Sequence, residues 1–162
     1  MSLLNESLVS AAQAVIRHHL QTGTMVATAE SCTGGLVAAA LTSVAGSSAV
    51  LERGFVTYSN LAKSQMLGVA EHLIDSHGAV SDPVAKAMAE GALAHSAAQV
   101  AVSITGIAGP GGGTTEKPVG LVHFALARQG KPTTTHRQVF SGDRDQVRGA
   151  AGLYALNLLM SA

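Results

Sequence analysis

Ala29-Glu30-Ser31-Cys32-Thr33-Gly34-Gly35 separates two apolar runs, and the fold around it follows from what lies on either side. Met25-Val26-Ala27 before it predicts a short buried strand, and the apolar run over residues 36–44 after it predicts a helix. A strand that turns sharply into a glycine-led helix exposes backbone N–H groups and places a hydroxyl beside them. These are the ingredients of an anion or oxyanion site. We therefore expect the chemistry of the protein at this turn.

Helical and strand patterns alternate through the rest of the chain, and two strands follow each other only near the end. The predicted helices cover residues 3–20, 35–45, 60–67, 82–95 and a last segment capped by Asp143. The predicted strands cover residues 25–29, 50–58, 99–105, 119–127 and 134–140. This order predicts an α/β fold in which a mixed sheet is covered by helices on both faces, a three-layer α/β/α sandwich. No repeat or linker divides the chain, so we expect a single domain over residues 1–162.

Composition limits the partners and the compartment. Ten basic residues balance ten acidic ones, which argues against a nucleic-acid polymer and favours a small ligand. The single cysteine, Cys32, allows no intrachain disulfide and fits a reducing compartment, so we expect a cytoplasmic protein. No apolar run approaches the about 20 residues that a membrane helix needs. Only 12% of the residues are charged, which is consistent with a surface covered by a second subunit.

Ser31 is the candidate nucleophile of the opening stretch, because its hydroxyl would lie beside unpaired N–H groups of the following helix. The alternative is that Ser31 is only a helix cap, which is the common role of serine at such a position. Glu30 either orients the turn by hydrogen bonding or reaches solvent. A helix N-terminus lowers a thiol pKa, so Cys32 is a second possible nucleophile, although a buried cysteine is usually inert.

Residues 55–63 form a second group, which runs from the end of a strand into a helix. With Asn60 as the predicted N-cap, Lys63 falls in the first helical turn, where the helix dipole opposes its charge. Such a position lowers the pKa of the ammonium and favours the neutral amine that a general base needs. The alternative is a lysine that points into water. Tyr58 fits either packing or catalysis.

A glycine-rich loop over residues 106–118 follows a buried strand and forms a third group. Glycine lets the backbone approach a ligand and turn its N–H groups toward a phosphate or an oxyanion. The loop lacks both the P-loop and the GxGxxG spacing, so the alternative is a mobile loop without a ligand. Arg144 and Arg148, in the last predicted helix, either clamp a phosphate or pair with neighbouring aspartates. The seven histidines show no metal-ligand spacing.

Four extended blocks, in matching order, resemble the CinA C-terminal domain family. The blocks are AESCTGG at 29–35, GFVTYSNLAK at 54–63, VSDPVAKAMAEGA at 80–92 and TGIAGPGGGTTEKPVGLV at 105–122. Stand-alone members of this family are nicotinamide-nucleotide amidases. The resemblance therefore implies hydrolysis of the carboxamide of nicotinamide mononucleotide to nicotinate mononucleotide and ammonia, in pyridine nucleotide recycling. It also implies a homodimer and a reaction that needs no metal or cofactor.

The resemblance assigns roles to the residues singled out above. The active-site serine matches Ser31, and the associated tyrosine and lysine match Tyr58 and Lys63. Tyr58 and Lys63 would remove the proton of Ser31, and the N–H groups of the Thr33-Gly34 helix start would hold the oxyanion; which of the two side chains touches the hydroxyl stays open. The candidates for holding the substrate are Glu30, Thr33, Gly34, Ser48, Asn60, Thr105, Gly106, Gly109 and Arg144.

Two alternative functions remain open at this point. One is an amidase for another pyridine or nucleoside amide. The other is a non-catalytic nucleotide-binding module, in keeping with the association of the family with competence and DNA damage. Many relatives carry this domain behind a larger N-terminal domain with pyrophosphatase-type activity, which these 162 residues do not contain. No function of that domain is expected of them.

Overall fold

Five strands form one mixed sheet in the computed structural model, which describes residues 4–162. The strands are β1 (Val26–Glu30), β2 (Leu51–Val56), β3 (Val100–Gly106), β4 (Leu121–Arg128) and β5 (Lys131–Val139). Their order is β2-β1-β3-β4-β5, in which β1 pairs parallel to β2 and β3, and β4 pairs antiparallel to β3 and β5. The carboxyl ends of the three parallel strands therefore meet at one edge of the sheet.

Helices cover both faces of this sheet, which confirms the predicted three-layer α/β/α sandwich. The helices are α1 (Glu6–Thr22), α2 (Leu36–Thr42), α3 (Asn60–Leu67), α4 (Glu71–His77), α5 (Asp82–Ala94) and α6 (Arg144–Met160). Helices α1, α2 and α6 pack on one face, and α3, α4 and α5 pack on the other.

Strand β3 shows how the sequence divides its side chains between the two faces. Its larger residues Val102 and Ile104 join the core under α1, α2 and α6, while Ala101 before them and Ser103 between them face α5. Alternation of this kind is what a strand imposes on successive side chains. Small residues on the α5 face let that helix lie close to the sheet.

The first and last helices are capped by local hydrogen bonds. Asn5 caps α1 by accepting from the N–H of Leu8 at 2.9 Å, and Gly23 ends that helix at a φ of 69°. Asp143 caps α6 as predicted and forms a capping box with Gln146. The predicted start of the first helix at residue 3 lies outside the described residues.

Several predicted details are wrong. Helix α4 has no counterpart among the predicted elements, and α2 already ends at Thr42. Strand β5 begins at Lys131, because Pro132 is tolerated in an edge strand. At the end of α1, His19 is buried and Leu20 is 51% exposed.

None of the helices within residues 4–162 combines the length and the apolar character that crossing a bilayer requires.

Candidate active site

Ser31 directly follows β1 and lies at the edge where the parallel strands end. Its N–H donates to the carbonyl of Ile104 in β3 at 2.9 Å, which fixes the turn against the neighbouring strand. The chain leaves β1 toward β2 on one side and later reaches β3 on the other, so Ser31 lies at the point where the strand order reverses. Ligands of open α/β sheets bind at such a point.

Lys63 is the side chain that contacts the hydroxyl of Ser31. Its Nζ lies 3.1 Å from Ser31 Oγ and donates to the carbonyl of Thr57 at 3.0 Å. The lysine is only 1% exposed, and burial without a carboxylate contact lowers the pKa of its ammonium. Of the two candidates, Lys63 and not Tyr58 therefore hydrogen-bonds to the Ser31 hydroxyl.

Two sequence-based interpretations of α3 need correction. The N-cap is Ser59, whose hydroxyl accepts from the N–H of Ala62 at 3.0 Å, while Asn60 is the first residue of the helix. The helix dipole was expected to lower the Lys63 pKa, but desolvation by burial is the main cause of the shift. The sequence shows where Lys63 stands in its helix, but it does not show that α3 packs over Ser31.

Tyr58 lies at the rim of the site and is 60% exposed. Its hydroxyl accepts from Arg144 Nη2 at 2.8 Å, and Arg144 Nη1 donates to the carbonyl of Gly109 at 2.8 Å. One guanidinium thus joins the loop after β2, the glycine-rich loop and the start of α6. This arrangement brings Tyr58, Arg144 and Gly109 together, and within the described residues none of the three hydrogen-bonds to the Ser31 hydroxyl.

The Glu30 carboxylate is buried and is occupied by bonds within the chain. Its Oε1 accepts from the Thr33 hydroxyl at 2.7 Å and from the N–H of Val37 at 2.9 Å, and its Oε2 accepts from the N–H of Ala38 at 3.0 Å. A carboxylate at a helix N-terminus satisfies N–H groups that have no partner within the helix. Glu30 therefore orients the turn, one of the two roles considered for it, and its carboxylate is not available to a substrate.

We expect Glu30→Gln to lower the free energy of unfolding by about 1–3 kcal/mol, the cost of leaving a buried donor unsatisfied. Both carboxylate oxygens of Glu30 accept hydrogen bonds, whereas the glutamine side chain has an NH₂ group in place of one of them. This NH₂ group cannot accept, so one donor of the turn would lose its partner. Urea unfolding at neutral pH measures the change. Glu90→Gln, on the exposed face of α5, is the matched control. Equal stability of both variants would contradict this role of Glu30.

The backbone N–H groups after Ser31 differ from the expected oxyanion site. The N–H of Gly34 donates to the carbonyl of Ser31 at 2.9 Å, and that of Leu36 donates to the carbonyl of Thr33 at 3.2 Å. Glu30 takes the N–H groups of Val37 and Ala38, so four N–H groups of the turn and the helix start have acceptors, while that of Gly35 has none among the described residues. The N–H of Thr33 has no acceptor among residues 4–162. Of the Thr33-Gly34 pair predicted to bind an oxyanion, only Thr33 keeps its N–H available.

Two contacts around the turn were missed in the sequence. Arg148, expected as a phosphate clamp or a partner of aspartates, instead donates to the carbonyls of Cys32 and Thr33. Thr57 supplies the carbonyl that holds Lys63, and its buried hydroxyl has no partner in the described part of the chain. The only feature of the sequence that pointed to the contact of Arg148 was its position one helical turn after Arg144.

Cys32 is not suited to act as the nucleophile. Burial raises the pKa of its thiol to about 11, with the nearby Glu30 carboxylate acting in the same direction. A thiol with such a pKa is protonated at neutral pH and is a poor nucleophile. Cys32 is therefore the buried, inert cysteine that was the alternative reading of the sequence.

Two of the predicted substrate-binding residues, Ser48 and Asn60, form no hydrogen bond with the side chains of Ser31 and Lys63 in the described chain. Ser48 is exposed in the short 3-10 helix Ser47–Ala49 before β2, at the amino end of the parallel strands and thus at the opposite edge of the sheet. Asn60 lines a cavity of about 240 Å³ between α3 and α4, together with the carboxylates of Glu71 and Asp75. Carboxylates in that position disfavour a phosphate. Neither residue joins the Ser31–Lys63 pair within one chain.

Thr105 and Gly106 end β3 next to the turn, where each makes a structural contact. The Thr105 hydroxyl is buried and donates to the carbonyl of Ala79 at 2.9 Å, so it is already engaged. A Cβ on Gly106 would come within 2.7 Å of the Val122 side chain and within 2.8 Å of the Leu121 carbonyl. Gly106 therefore allows β3 and β4 to approach closely at this end.

The sequence matches the family model described as the CinA C-terminal domain over residues 8–162. It is 60% identical over 137 residues to the nicotinamide-nucleotide amidohydrolase PncC of Escherichia coli K12, covering 85% of this chain and 83% of that protein. It is 52% identical to a CinA-like protein of Akkermansia muciniphila, covering 93% of this chain but only 36% of that protein.

Among solved structures, the competence/damage inducible protein CihA of Agrobacterium tumefaciens superposes with a TM-score of 0.97 at 49% identity, over 99% of this chain and 98% of that chain. A CinA superfamily protein of Escherichia coli superposes with a TM-score of 0.91 at 33% identity, over 100% of this chain and 95% of that chain.

Proposed function

The chain belongs to the CinA C-terminal domain family, and we propose that it hydrolyses the carboxamide of nicotinamide mononucleotide to nicotinate mononucleotide and ammonia. The 60% identical relative carries the name of this activity and matches the chain over most of its own length. The observation that carries the proposal is the 3.1 Å contact between Ser31 Oγ and Lys63 Nζ in a buried position. A hydroxyl next to a desolvated amine is an activated nucleophile.

In the proposed first step, Ser31 is the nucleophile and Lys63 is the general base. The neutral amine accepts the Ser31 proton while Oγ forms a bond to the carboxamide carbon. The resulting ammonium then gives a proton to the nitrogen of the tetrahedral intermediate, the carbon–nitrogen bond breaks, and ammonia leaves. The products of this step are an ester on Ser31 and a neutral Lys63. The lowered pKa suits this role because it raises the fraction of neutral amine at any given pH below the ordinary value.

In the second step, water hydrolyses the ester. Lys63 takes a proton from the water as its oxygen attacks the ester carbon, and returns a proton to Ser31 Oγ as the carbon–oxygen bond breaks. The carboxylic acid product then ionises. In both steps we assign the negative oxygen of the tetrahedral intermediate to the N–H of Thr33. This donor has no acceptor within residues 4–162 and belongs to the same turn as Ser31.

We assign the phosphate of the substrate to the rim of the site, near Arg144. This guanidinium is exposed, is held in place by Gly109 and Tyr58, and forms no ion pair with a carboxylate in the described chain. Arginine presents several donors in a fixed plane, which suits a phosphate. Tyr58 is therefore proposed to position Arg144, and its exposed ring is available to the substrate.

Arg144→Gln is expected to raise KM for nicotinamide mononucleotide about 10- to 100-fold with a much smaller change in kcat. A charge-assisted hydrogen bond is worth about 1.5–3 kcal/mol, and each 1.4 kcal/mol is a factor of ten. Steady-state kinetics of ammonia release measure both constants. Arg17→Gln, an identical charge change on the exposed side of α1, is the control. An unchanged KM in Arg144→Gln would remove Arg144 from the phosphate site.

We further propose that the protein acts as a single amidase domain, as a homodimer and in the cytoplasm. The lone cysteine supports a reducing compartment, and the small share of charged residues supports a surface covered by a second subunit. Sedimentation velocity at micromolar concentration tests the dimer.

A panel of amides tests the proposed substrate. Ammonia release from nicotinamide mononucleotide is compared with release from nicotinamide, nicotinamide riboside and asparagine. We expect turnover of the mononucleotide to exceed that of the others, because only it offers both the pyridine carboxamide and a phosphate. Higher turnover of another amide would contradict the substrate assignment. Binding of the mononucleotide without any turnover would favour a non-catalytic nucleotide-binding module.

A further inference from the structure

Arg148 reaches from α6 to the turn that carries Ser31. Its Nε donates to the carbonyl of Cys32 at 3.2 Å, and its Nη2 donates to the carbonyl of Thr33 at 3.1 Å. Its guanidinium pairs with no carboxylate in the part of the chain that the structure describes. The positive charge of Arg148 is therefore directed at the two carbonyls of the turn.

The peptide plane between Cys32 and Thr33 connects this contact to the proposed chemistry. In a trans peptide, the carbonyl and the N–H point in opposite directions. Because Arg148 holds the Cys32 carbonyl, the N–H of Thr33 must point away from α6. Hydrogen bonds polarise one another along a chain, so a charged donor on the carbonyl makes the N–H at the other end of that peptide a stronger donor.

The same peptide is held from a second side. The hydroxyl of Thr33 donates to Glu30 Oε1 at 2.7 Å, and Thr33 is fully buried. Gly34, which follows at a φ of 61°, allows the sharp turn and leaves its missing Cβ position 3.5 Å from Arg148 Nη2. A buried N–H without an acceptor is costly, and a fixed donor of this kind is what a developing oxyanion requires.

We propose that Arg148 is a positioning residue, which fixes and polarises the Cys32–Thr33 peptide so that its N–H stabilises the oxyanion formed at Ser31. This inference rests on the proposed amidase function. It adds a residue of α6 to the reaction, although that residue contacts neither the hydroxyl of Ser31 nor Lys63. Arg148 thereby differs from Arg144, which is assigned to the phosphate of the substrate.

The test compares Arg148→Gln and Arg148→Lys with the wild type. Lysine keeps the charge but cannot donate to both carbonyls in the fork geometry of arginine. We expect kcat to fall about 10- to 100-fold in both variants, below the 10²–10³-fold cost of removing an oxyanion donor outright, with KM changed by less than about threefold. The Arg17→Gln variant is the matched control for the loss of one positive charge.

A second readout does not depend on turnover. In a ¹⁵N–¹H correlation spectrum, the amide proton of Thr33 should move to higher field in Arg148→Gln, because the peptide loses its charged donor. Unfolding midpoints of the variants show that the fold is intact. If Arg148→Gln does not fold, Arg148→Lys gives the same comparison.

A folded variant with wild-type kcat, or a loss confined to KM, would overturn the proposal while leaving the proposed function intact. An unchanged Thr33 amide resonance would also overturn it. Absence of turnover by the wild-type protein on the mononucleotide would instead overturn the proposed function, and the role of Arg148 with it.

Discussion

Ser31→Ala is expected to lower kcat for nicotinamide mononucleotide by at least about 10³-fold, because the variant has no atom that can form the ester intermediate. The surrounding turn should keep its shape. The N–H of residue 31 still donates to the Ile104 carbonyl, and Glu30 still holds the start of α2. Ammonia release at saturating substrate measures the loss, and titration calorimetry tests whether the variant still binds the mononucleotide.

Ser43→Ala is the matched control for this variant. Ser43 is an exposed C-cap of α2, where its hydroxyl bonds only to a local carbonyl, and its removal should leave kcat within about twofold of the wild type. If Ser31→Ala retained more than about a tenth of the wild-type kcat, Ser31 would not be the nucleophile.

Lys63→Met is expected to have the second largest effect, a fall in kcat of about 10²–10⁴-fold, which is the usual contribution of a positioned general base. Methionine fills similar space but cannot accept a proton. Lys63→Arg should be equally impaired, because its guanidinium stays charged. Full activity of Lys63→Arg would exclude proton transfer through this side chain.

The pH profile of the wild type provides a further check on Lys63. Because the proposed reaction requires the neutral amine, kcat/KM should fall as the pH drops through the lowered pKa of Lys63 and reach a plateau above it. The profile should show this limb below the ordinary lysine value of 10.5. A limb that stays at the ordinary value would show that burial does not control the base.

The free energy of unfolding should increase with pH because of Lys63. Between the lowered pKa in the folded protein and the ordinary value of 10.5 in the unfolded chain, the unfolded state binds more protons. The wild type should therefore gain stability relative to Lys63→Met as the pH rises through this window, by at most about 1.4 kcal/mol per pH unit. Urea unfolding at pH 7 to 10 measures the difference, and the exposed Lys86→Met should show no such trend.

Local signals in the sequence were enough to predict the strand-turn-helix unit around Ser31 and the layered fold. The apolar runs, the turn at Gly34-Gly35 and the cap at Asp143 depend on contacts within a few residues. Hydrophobic periodicity and residue type are therefore enough to predict them. The N-cap of α3 was misplaced by one residue, because Ser59 and Asn60 are both good caps and only the backbone decides between them. Helix α4 was missed because its seven residues show little periodicity.

The site itself depends on contacts between distant segments, which a single sequence does not reveal. Lys63 meets Ser31 because α3 packs over the end of β1, and Arg148 meets the same turn from the far end of the chain. Ser48 was grouped with the site, yet the strand direction places it at the opposite edge of the sheet. Glu30 was left between two roles, because only the structure shows that Thr33, Val37 and Ala38 occupy its carboxylate.

The ester intermediate on Ser31 is tested most directly by adding hydroxylamine, which competes with water for the acyl group. An acyl-enzyme predicts that kcat/KM for ammonia release is independent of hydroxylamine, because ammonia leaves before the competing nucleophile acts. The ratio of hydroxamate to acid should meanwhile rise linearly with hydroxylamine. A kcat/KM for ammonia release that increases in proportion to hydroxylamine would show direct displacement and contradict covalent catalysis by Ser31.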